Sequence, residues 1–240
     1  MASTYSTNAQ LEIITTGEKA GQWGGINNTN LQILEQTSTG VLDVDISAAS
    51  STLVLTDGAQ STGKNIYLRL YGALAANRTV TMPITANRVW IMKDDTTRGT
   101  SNYTVGVLTA SGTTQPIPPG ATVLCKSNGS ETVVNIIEKG YETITDANSP
   151  YTVVAGAQIL ANTTSTTITV TLPSAASTGD EVTIIDARGT WGSNNLTVGR
   201  NGLKINSGTD DLTLSNNGQS ITLVYVDATR GWAYKTNYTS

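Results

Sequence analysis

Acidic residues are the side chains in this sequence with the clearest potential for chemistry, and several of them stand close together. The closest pairs are Asp43/Asp45, Asp94/Asp95 and Asp210/Asp211. Two facing carboxylates could cleave a glycosidic bond, and carboxylate oxygens are ligands that Ca²⁺ prefers. None of the pairs matches the spacing of a known calcium loop, and acids in such positions are typical of strand surfaces and turns. We therefore expect no catalytic residue, no metal and no cofactor.

The sequence offers few residues for nucleophilic catalysis. The sequence contains no histidine, so Ser-His and Cys-His catalysis and most zinc sites are excluded. Its single cysteine, Cys125, lies in an apolar run and cannot form an intrachain disulfide. We interpret Cys125 as a buried small hydrophobic residue.

Aromatic residues could instead bind a sugar or a protein partner. Trp191 lies in a loop flanked by glycine and is the strongest candidate for a surface contact, because an aromatic face matches the C–H face of a pyranose. Trp232 follows a turn at an alternating position, which favours packing in a core or an interface. Trp23 is interpreted as an anchor into a partner.

Composition restricts the partners further. The net charge is −4 and no Lys/Arg run is present, which argues against nucleic-acid binding. The sequence shows no signal peptide and no apolar run long enough to cross a bilayer. We expect synthesis in a cytoplasm and no membrane insertion.

Two parts of the chain repeat each other, which indicates two similar modules. Residues 80–83 (VTMP) match residues 170–173 (VTLP). Residues 89–92 (VWIM) match 182–185 (VTII), and residues 102–106 (NYTVG) match 195–199 (NLTVG), both at one offset and without a gap.

Short alternating apolar runs separated by turn residues surround these matches. They predict a mainly β protein with two tandem antiparallel β-sandwich or barrel-like modules, at residues 41–138 and 141–240. Asn128-Gly129, Asn201-Gly202 and Asn217-Gly218 are typical of hairpin turns. Residues 1–40 form a leader, in which residues 26–36 predict one short helix that must pack on a module or on another chain.

The leader also carries a family resemblance. Residues 11–14 (LEII), 16–18 (TGE), 20–24 (AGQWG), 28–31 (NTNL) and 34–36 (LEQ) resemble the N-terminus of fibre proteins from tailed bacteriophages of marine bacteria and cyanobacteria. Residues 70–83 (LYGALAANRTVTMP) and the pattern over residues 169–232 resemble modules of the same proteins. Lys19 and residues 25–27 depart from the usual leader pattern but leave its Gly/Trp skeleton intact.

This resemblance implies a virion structural protein of the tail-fibre type, a homotrimer without enzymatic activity. Its leader would attach to the phage tail or to another virion protein, and its β-modules would bind a glycan or protein of the host surface. The expected attachment residues are Gly17, Glu18, Gly21, Trp23, Gly24, Asn30, Leu31 and Leu34. Two alternatives remain open at this point, namely a capsid decoration or head-fibre protein and, third, a polysaccharide depolymerase.

Overall fold

The computed structural model describes residues 3–84, 87–127 and 132–238, and within them the backbone but not the side chain of Val133. Contacts between residues divide the chain into two compact units. Unit 1 comprises Met1–Thr97, Thr104–Ile117 and Thr122–Ile137, and unit 2 comprises Arg98–Tyr103, Pro118–Ala121 and Glu138–Ser240. Residues 1–40 therefore fall within unit 1.

A small two-stranded sheet and one helix open the chain. Strands β1 (Thr4–Tyr5) and β2 (Glu12–Ile13) pair antiparallel, and helix α1 runs from Trp23 to Thr39. The predicted helix is confirmed, but it begins three residues earlier than the apolar pattern indicated. Gly40 ends it with extended backbone, and the Gly40 N–H donates to Gln36 O at 3.0 Å.

Nine further strands precede residue 139 in the part of the chain that the structure describes. They are β3 (Val41–Asp45), β4 (Ser51–Thr52), β5 (Tyr67–Ala73), β6 (Arg78–Met82), β7 (Arg88–Thr97), β8 (Val105–Thr109), β9 (Gln115–Ile117), β10 (Thr122–Ser127) and β11 (Thr132–Glu138). A 3₁₀ turn, Thr62–Lys64, lies between β4 and β5. The strands form a five-stranded sheet of order β11-β10-β7-β5-β3 and a four-stranded sheet of order β4-β6-β8-β9.

Unit 2 repeats this arrangement. Its strands are β12 (Tyr141–Ile144), β13 (Tyr151–Thr152), β14 (Gln158–Ala161), β15 (Ile168–Thr171), β16 (Glu181–Asp186), β17 (Leu196–Gly199), β18 (Leu212–Leu214), β19 (Ser220–Asp227) and β20 (Gly231–Tyr238). A 3₁₀ turn, Asp146–Asn148, precedes β13. The sheets have orders β12-β14-β16-β19-β20 and β13-β15-β17-β18.

In each unit, successive strands alternate between the two sheets, as far as β8 in unit 1 and β17 in unit 2. In unit 1, β3, β5 and β7 pair parallel in one sheet while β4, β6 and β8 pair parallel in the other. In unit 2, β12, β14 and β16 pair parallel, as do β13, β15 and β17. Each return to the same sheet passes through a strand of the opposite sheet, which is the coil of a β-solenoid.

The predicted mainly β class is confirmed, but the antiparallel direction is correct only for the later strands of each sheet. Strand β10 pairs antiparallel with β7 and β9 with β8, and unit 2 has the same pattern at β16–β19, β19–β20 and β17–β18. Alternation along a strand shows which side chains face the core, and it carries no information on strand direction. Short connections with turn residues predict hairpins, but many of them pass from one sheet to the other.

Asn217-Gly218 is such a case. It lies between β18 and β19, which belong to different sheets, so it does not form a hairpin. Gly218 has a φ of 72°, which explains the need for glycine at this turn. Asn201-Gly202 does lie between two antiparallel partners, β17 and β18, with φ of 50° and 88°. Asn128-Gly129 lies outside the described residues.

The core of unit 2 is a continuous cluster of inward-facing residues from both of its sheets. It includes Trp191 and Trp232, and the ring of Trp232 meets Tyr225 edge-on with centroids 5.6 Å apart. Trp232 therefore packs in the core, as its alternating position predicts. In unit 1 the buried Trp90 donates from its indole to Gly63 O at 2.9 Å.

The pairing register of the strands shows which residues of the two units correspond. Met92 pairs with Leu68, and Ile184 pairs with Ile159; all four side chains are buried. Met92 therefore corresponds to Ile184, whereas the gap-free sequence match aligned it with Ile185. A one-residue shift turns every side chain of a strand to the opposite face, so the ladder register decides this alignment.

Candidate attachment site

Helix α1 packs on unit 1 through one side only. Ile33 is fully buried, and the side chain of Gln36 bonds to the backbone of Ser61 in both directions, at 3.1 and 3.3 Å. At the C-terminal end, Gly40 O accepts from Ile66 N and Tyr67 N, both at 3.1 Å. These contacts hold the second half of the helix on the first strands of the unit.

The first half of the helix is held by β2. The amide of Asn30 accepts from Glu12 N at 3.0 Å and donates to Glu12 O at 2.9 Å, as a neighbouring strand would. Glu12 is tied in turn to the N-terminal segment, because its carboxylate accepts from Ser3 at 2.7 Å and pairs with Lys19 at 3.1 Å. The hydrogen bond from Ser3, followed by that from Lys19, lowers the pKa of Glu12.

The outward side of α1 carries three large apolar residues. Trp23, Leu31 and Leu34 are 63%, 55% and 45% exposed. At about 100° per residue they fall within about 80° of one another around the helix axis. Ile33 lies about 80° from Trp23 and about 160° from Leu31 around the axis, so the buried apolar side of the helix is next to this exposed apolar group. We call Trp23, Leu31 and Leu34 the outer face of α1.

The remaining predicted attachment residues have different positions. Gly17 and Gly21 have φ of 87° and 78°, and they form the turns that lead into the helix. Glu18 is half-buried beside them, and its N–H donates to Thr15 O at 3.0 Å. Gly24 lies in the first helical turn with nothing within 4 Å of an added Cβ. Asn30 makes the internal contact with Glu12, whereas the large apolar side chains of the outer face remain exposed.

Trp191 is not a surface residue, and the expectation of a contact there is wrong. Its side chain is fully buried in the core of unit 2. The cause is Asp186, whose carboxylate accepts from Trp191 N at 3.2 Å and from Gly189 N at 2.9 Å and so turns the loop inward. Glycine neighbours indicated a loop, but they could not show in which direction its tryptophan points.

The acidic pairs are engaged in local structure. Asp43 receives two hydrogen bonds from Arg69, at 2.9 and 2.7 Å, and Asp95 lies 3.8 Å from the same guanidinium. The hydrogen bonds from Arg69 lower the pKa of Asp43. Asp94 is buried and accepts from the backbone and hydroxyl of Thr96.

Two of the other acidic residues accept hydrogen bonds from the backbone. Asp45 accepts from Ser47 N at 2.9 Å, and Asp211 accepts from Arg200 N at 2.9 Å. Asp210 is exposed next to Asp211. Over residues 3–84, 87–127 and 132–238, no group of three or more Cys, Asp or Glu side chains is placed to hold a metal ion. In the same ranges, the helix lacks the length and hydrophobicity needed to cross a membrane.

Comparisons with known proteins add little. No protein-family model matches the chain, and no match was found among curated proteins. Among solved structures, the chain is similar to one in a structure described as a chaperone–substrate complex, with 15% identity and a TM-score of 0.36. The match covers 82% of this chain and 35% of that one, so this chain spans about a third of its length. A similarity of this size indicates neither a shared fold nor a shared function.

Proposed function

We propose that the chain is a structural protein of a tailed-phage virion, of the tail-fibre type, which attaches through its leader and presents two β-units to a host surface. The observation that carries the proposal is the outer face of α1. A helix fixed on one side by Ile33 and Gln36 exposes Trp23, Leu31 and Leu34 on the other. Exposed aromatic and aliphatic residues on a rigid element are typical of protein–protein contacts.

The resemblance of the leader to phage fibre proteins supports the virion as the place of this contact. It applies to the same residues, because Trp23, Leu31 and Leu34 belong to the segments that carry the resemblance. On this proposal the protein binds and does not catalyse. The three parallel coils of each unit form a regular scaffold from which loops and sheet faces are accessible to a glycan or protein of the host.

A homotrimer is part of the proposal. The last strand of each five-stranded sheet is an edge, and both edges expose large apolar residues. These are Ile136 and Ile137 in β11 and Tyr234 and Tyr238 in β20. A second and third copy would cover such edges, which otherwise offer unpaired backbone groups to any chain. Light scattering of the purified protein measures the state directly, and a monomer at micromolar concentration would exclude the trimer.

The test of attachment is incorporation into phage particles. Particles are produced with Trp23→Ala, with Leu31→Ala/Leu34→Ala, or with Gln32→Ala as the control at an exposed polar position of the same helix. We expect both outer-face variants to be lost from purified particles by immunoblot, while the control is retained. Normal incorporation of both variants would refute attachment through α1.

Immunogold labelling with an antibody against residues 141–240 locates the protein on the particle. Gold at the tail supports the fibre type. Gold distributed over the capsid would instead indicate a decoration or head-fibre protein, attached to the capsid through the same outer face.

A further inference from the structure

The two Asn-Gly turns of unit 2 contain a dipeptide that can modify itself without an enzyme. The backbone nitrogen of the glycine attacks the side-chain carbonyl carbon of the asparagine, because glycine has no side chain to block the approach. The new C–N bond closes a succinimide ring, and the side-chain nitrogen leaves as ammonia with the proton of the glycine N–H. Water then opens the ring to aspartate or isoaspartate. The residues of both turns are exposed, so access of water does not distinguish Asn201-Gly202 from Asn217-Gly218.

In the second of these turns, hydrogen bonds hold both reacting groups. Gly218 N donates to the buried carboxylate of Asp186 at 3.0 Å. The nitrogen must lose its proton to attack, and the negative charge that then develops would lie next to another negative charge. On the asparagine side, Asn217 Oδ1 accepts from Gly192 N at 2.6 Å, which fixes the orientation of the carboxamide. Reaction at Asn217 therefore requires this part of the structure to open first.

In the first turn, the attacking nitrogen is not restrained in this way. Leu203 N closes the turn by donating to Arg200 O at 3.1 Å. Asn201 and Gly202 between them have φ of 50° and 88°, as in a type I′ turn. Over residues 3–84, 87–127 and 132–238, the N–H of Gly202 finds no hydrogen-bond acceptor. Asn201 donates from Nδ2 to Leu172 O at 2.9 Å, and Nδ2 is the nitrogen that leaves. Gly202 N can therefore lose its proton without the breakage of a hydrogen bond.

We propose that Asn201 is a site of spontaneous deamidation in the folded protein, whereas Asn217 is protected by the hydrogen bond from Gly218 to Asp186. The glycine nitrogen is the nucleophile, ammonia is the leaving group and water is the only co-reactant. The two turns have the same dipeptide and similar exposure, so the difference between them arises from hydrogen bonding alone. The proposal is independent of the proposed function, because it concerns the folded chain and not a partner.

Deamidation would change the surface of unit 2. Asn201, Asp210 and Asp211 line one open cavity of about 410 Å³. A carboxylate at position 201 would add a negative charge beside the two that are already there. Loss of Nδ2 would also remove the donor to Leu172 O. The modification therefore replaces an internal hydrogen bond of the turn by an additional surface charge.

The experiment compares the two dipeptides within one chain. The full chain is incubated at mildly alkaline pH, folded or in guanidinium chloride, and mass spectrometry of its peptides follows deamidation at each asparagine. In denaturant we expect Asn201 and Asn217 to react at rates within about threefold of each other, because the native hydrogen bonds are lost. In the folded chain we expect Asn217 to react at least about tenfold more slowly than Asn201. Asn128-Gly129, outside the described residues, is quantified in a separate peptide.

Two variants test the role of each nitrogen. Gly202→Ala adds a methyl group to the attacking residue, at a position where nothing lies within 4 Å of the added Cβ. It should slow deamidation of Asn201 at least about tenfold and leave that of Asn217 unchanged. Asp186→Asn leaves Gly218 N without a carboxylate and should accelerate deamidation of Asn217. Circular dichroism shows whether each variant is folded at the incubation temperature.

Hydrogen exchange of the isotope-labelled wild type tests the same assignment without a variant. The amide of Gly202 should exchange faster than that of Gly218, because only the second donates to a buried carboxylate. Equal deamidation of Asn201 and Asn217 in the folded chain would overturn the proposal, as would slower exchange at Gly202 than at Gly218. Attachment through Trp23 would be unaffected by either result, because incorporation into particles measures that contact separately.

Discussion

The carboxylate of Asp186 accepts a hydrogen bond from the backbone N–H of Gly218 at 3.0 Å and thereby joins the end of β16 to the turn before β19. The same carboxylate accepts from Arg188, Gly189 and Trp191. One buried side chain therefore satisfies four backbone donors from two separate loops. In unit 1 the buried Asp94 occupies the corresponding place in the ladder, since Asp94 pairs with Leu70 as Asp186 pairs with Ala161.

Replacement of Asp186 by Asn is expected to destabilise unit 2 by roughly 2–3 kcal/mol, because an amide cannot accept four N–H bonds as a carboxylate does. Urea unfolding at pH 7 measures the change. Asp210→Asn, on the exposed surface of the same unit, is the control and should unfold like the wild type. Equal midpoints for the two variants would show that the hydrogen bonds to Asp186 contribute nothing.

The pH dependence of stability gives a second test of Asp186. Burial alone would raise its pKa, but backbone hydrogen bonds, that from Gly218 first, outweigh this effect and hold the pKa below its ordinary value of 3.8. A carboxylate with a lowered pKa in the folded state contributes stability above its unfolded pKa and loses it as the pH falls through the folded one. The stability difference between wild type and Asp186→Asn should thus be constant above about pH 5 and shrink below about pH 4. A difference that is unchanged at pH 2.5 would contradict the assignment.

The stability changes of Trp191→Ala and Trp23→Ala distinguish a core residue from a surface residue. Trp191→Ala is expected to cost about 3–5 kcal/mol, because it removes the largest kind of side chain from the core of unit 2. Trp23→Ala should change stability by less than about 0.5 kcal/mol, because 63% of Trp23 is already exposed. Chemical unfolding of both variants measures this, and a loss of stability in Trp23→Ala comparable to that in Trp191→Ala would show that the outer face of α1 is structural.

Replacement of Gly231 and of Gly202 by alanine distinguishes the effect of steric overlap from that of backbone strain. Both have positive φ, 70° and 88°, but an added Cβ at Gly231 would overlap Lys204 O, whereas at Gly202 nothing lies within 4 Å. Gly202→Ala should therefore cost about 1 kcal/mol, and Gly231→Ala should cost at least about 2 kcal/mol more. The second change also disturbs the bond from Trp232 N to Lys204 O at 2.8 Å. Thermal unfolding of the two variants compares them, and equal losses would argue against a close approach at Gly231.

Cys125 is expected to be inert in the folded protein. Burial raises the pKa of its thiol to about 12, so the reactive thiolate is scarce at neutral pH. A thiol reagent such as 5,5′-dithiobis(2-nitrobenzoate) at pH 8 should label the native chain at least about a hundredfold more slowly than the chain in denaturant. Rapid labelling of the native protein would show that β10 opens readily.

Several parts of the fold could be predicted from sequence because they depend on local patterns. Alternating apolar residues predict strands at residues 41–47 and 66–71, where the structure has β3 and β5, and the apolar run at residues 221–226 predicts the strand that is β19. The direction of the strands could not be predicted in this way, because alternation shows only which side chains face the core. Ile91 and Ile185 are apolar although they alternate with buried positions, and this allowed the sequence match between β7 and β16 to shift by one residue.

The candidate site was predictable in part. The resemblance of the leader identified Trp23, Leu31 and Leu34 as candidates, and the structure adds that these side chains are exposed while Ile33 on the same helix is buried. The expectation for Trp191 is wrong because its glycine neighbours indicate a loop but not the direction in which Asp186 turns that loop.

The alternation of strands between two sheets also determines how such a chain can change length during evolution. Val41, Tyr67 and Ile91 occupy one rung across three successive coils, so each coil pairs only with its neighbours in sequence. Loss or gain of a complete coil would leave every remaining partner in register, whereas loss of a single residue within a strand would reverse its faces. The unit is therefore expected to vary in whole coils among related chains, with insertions confined to the connections between strands.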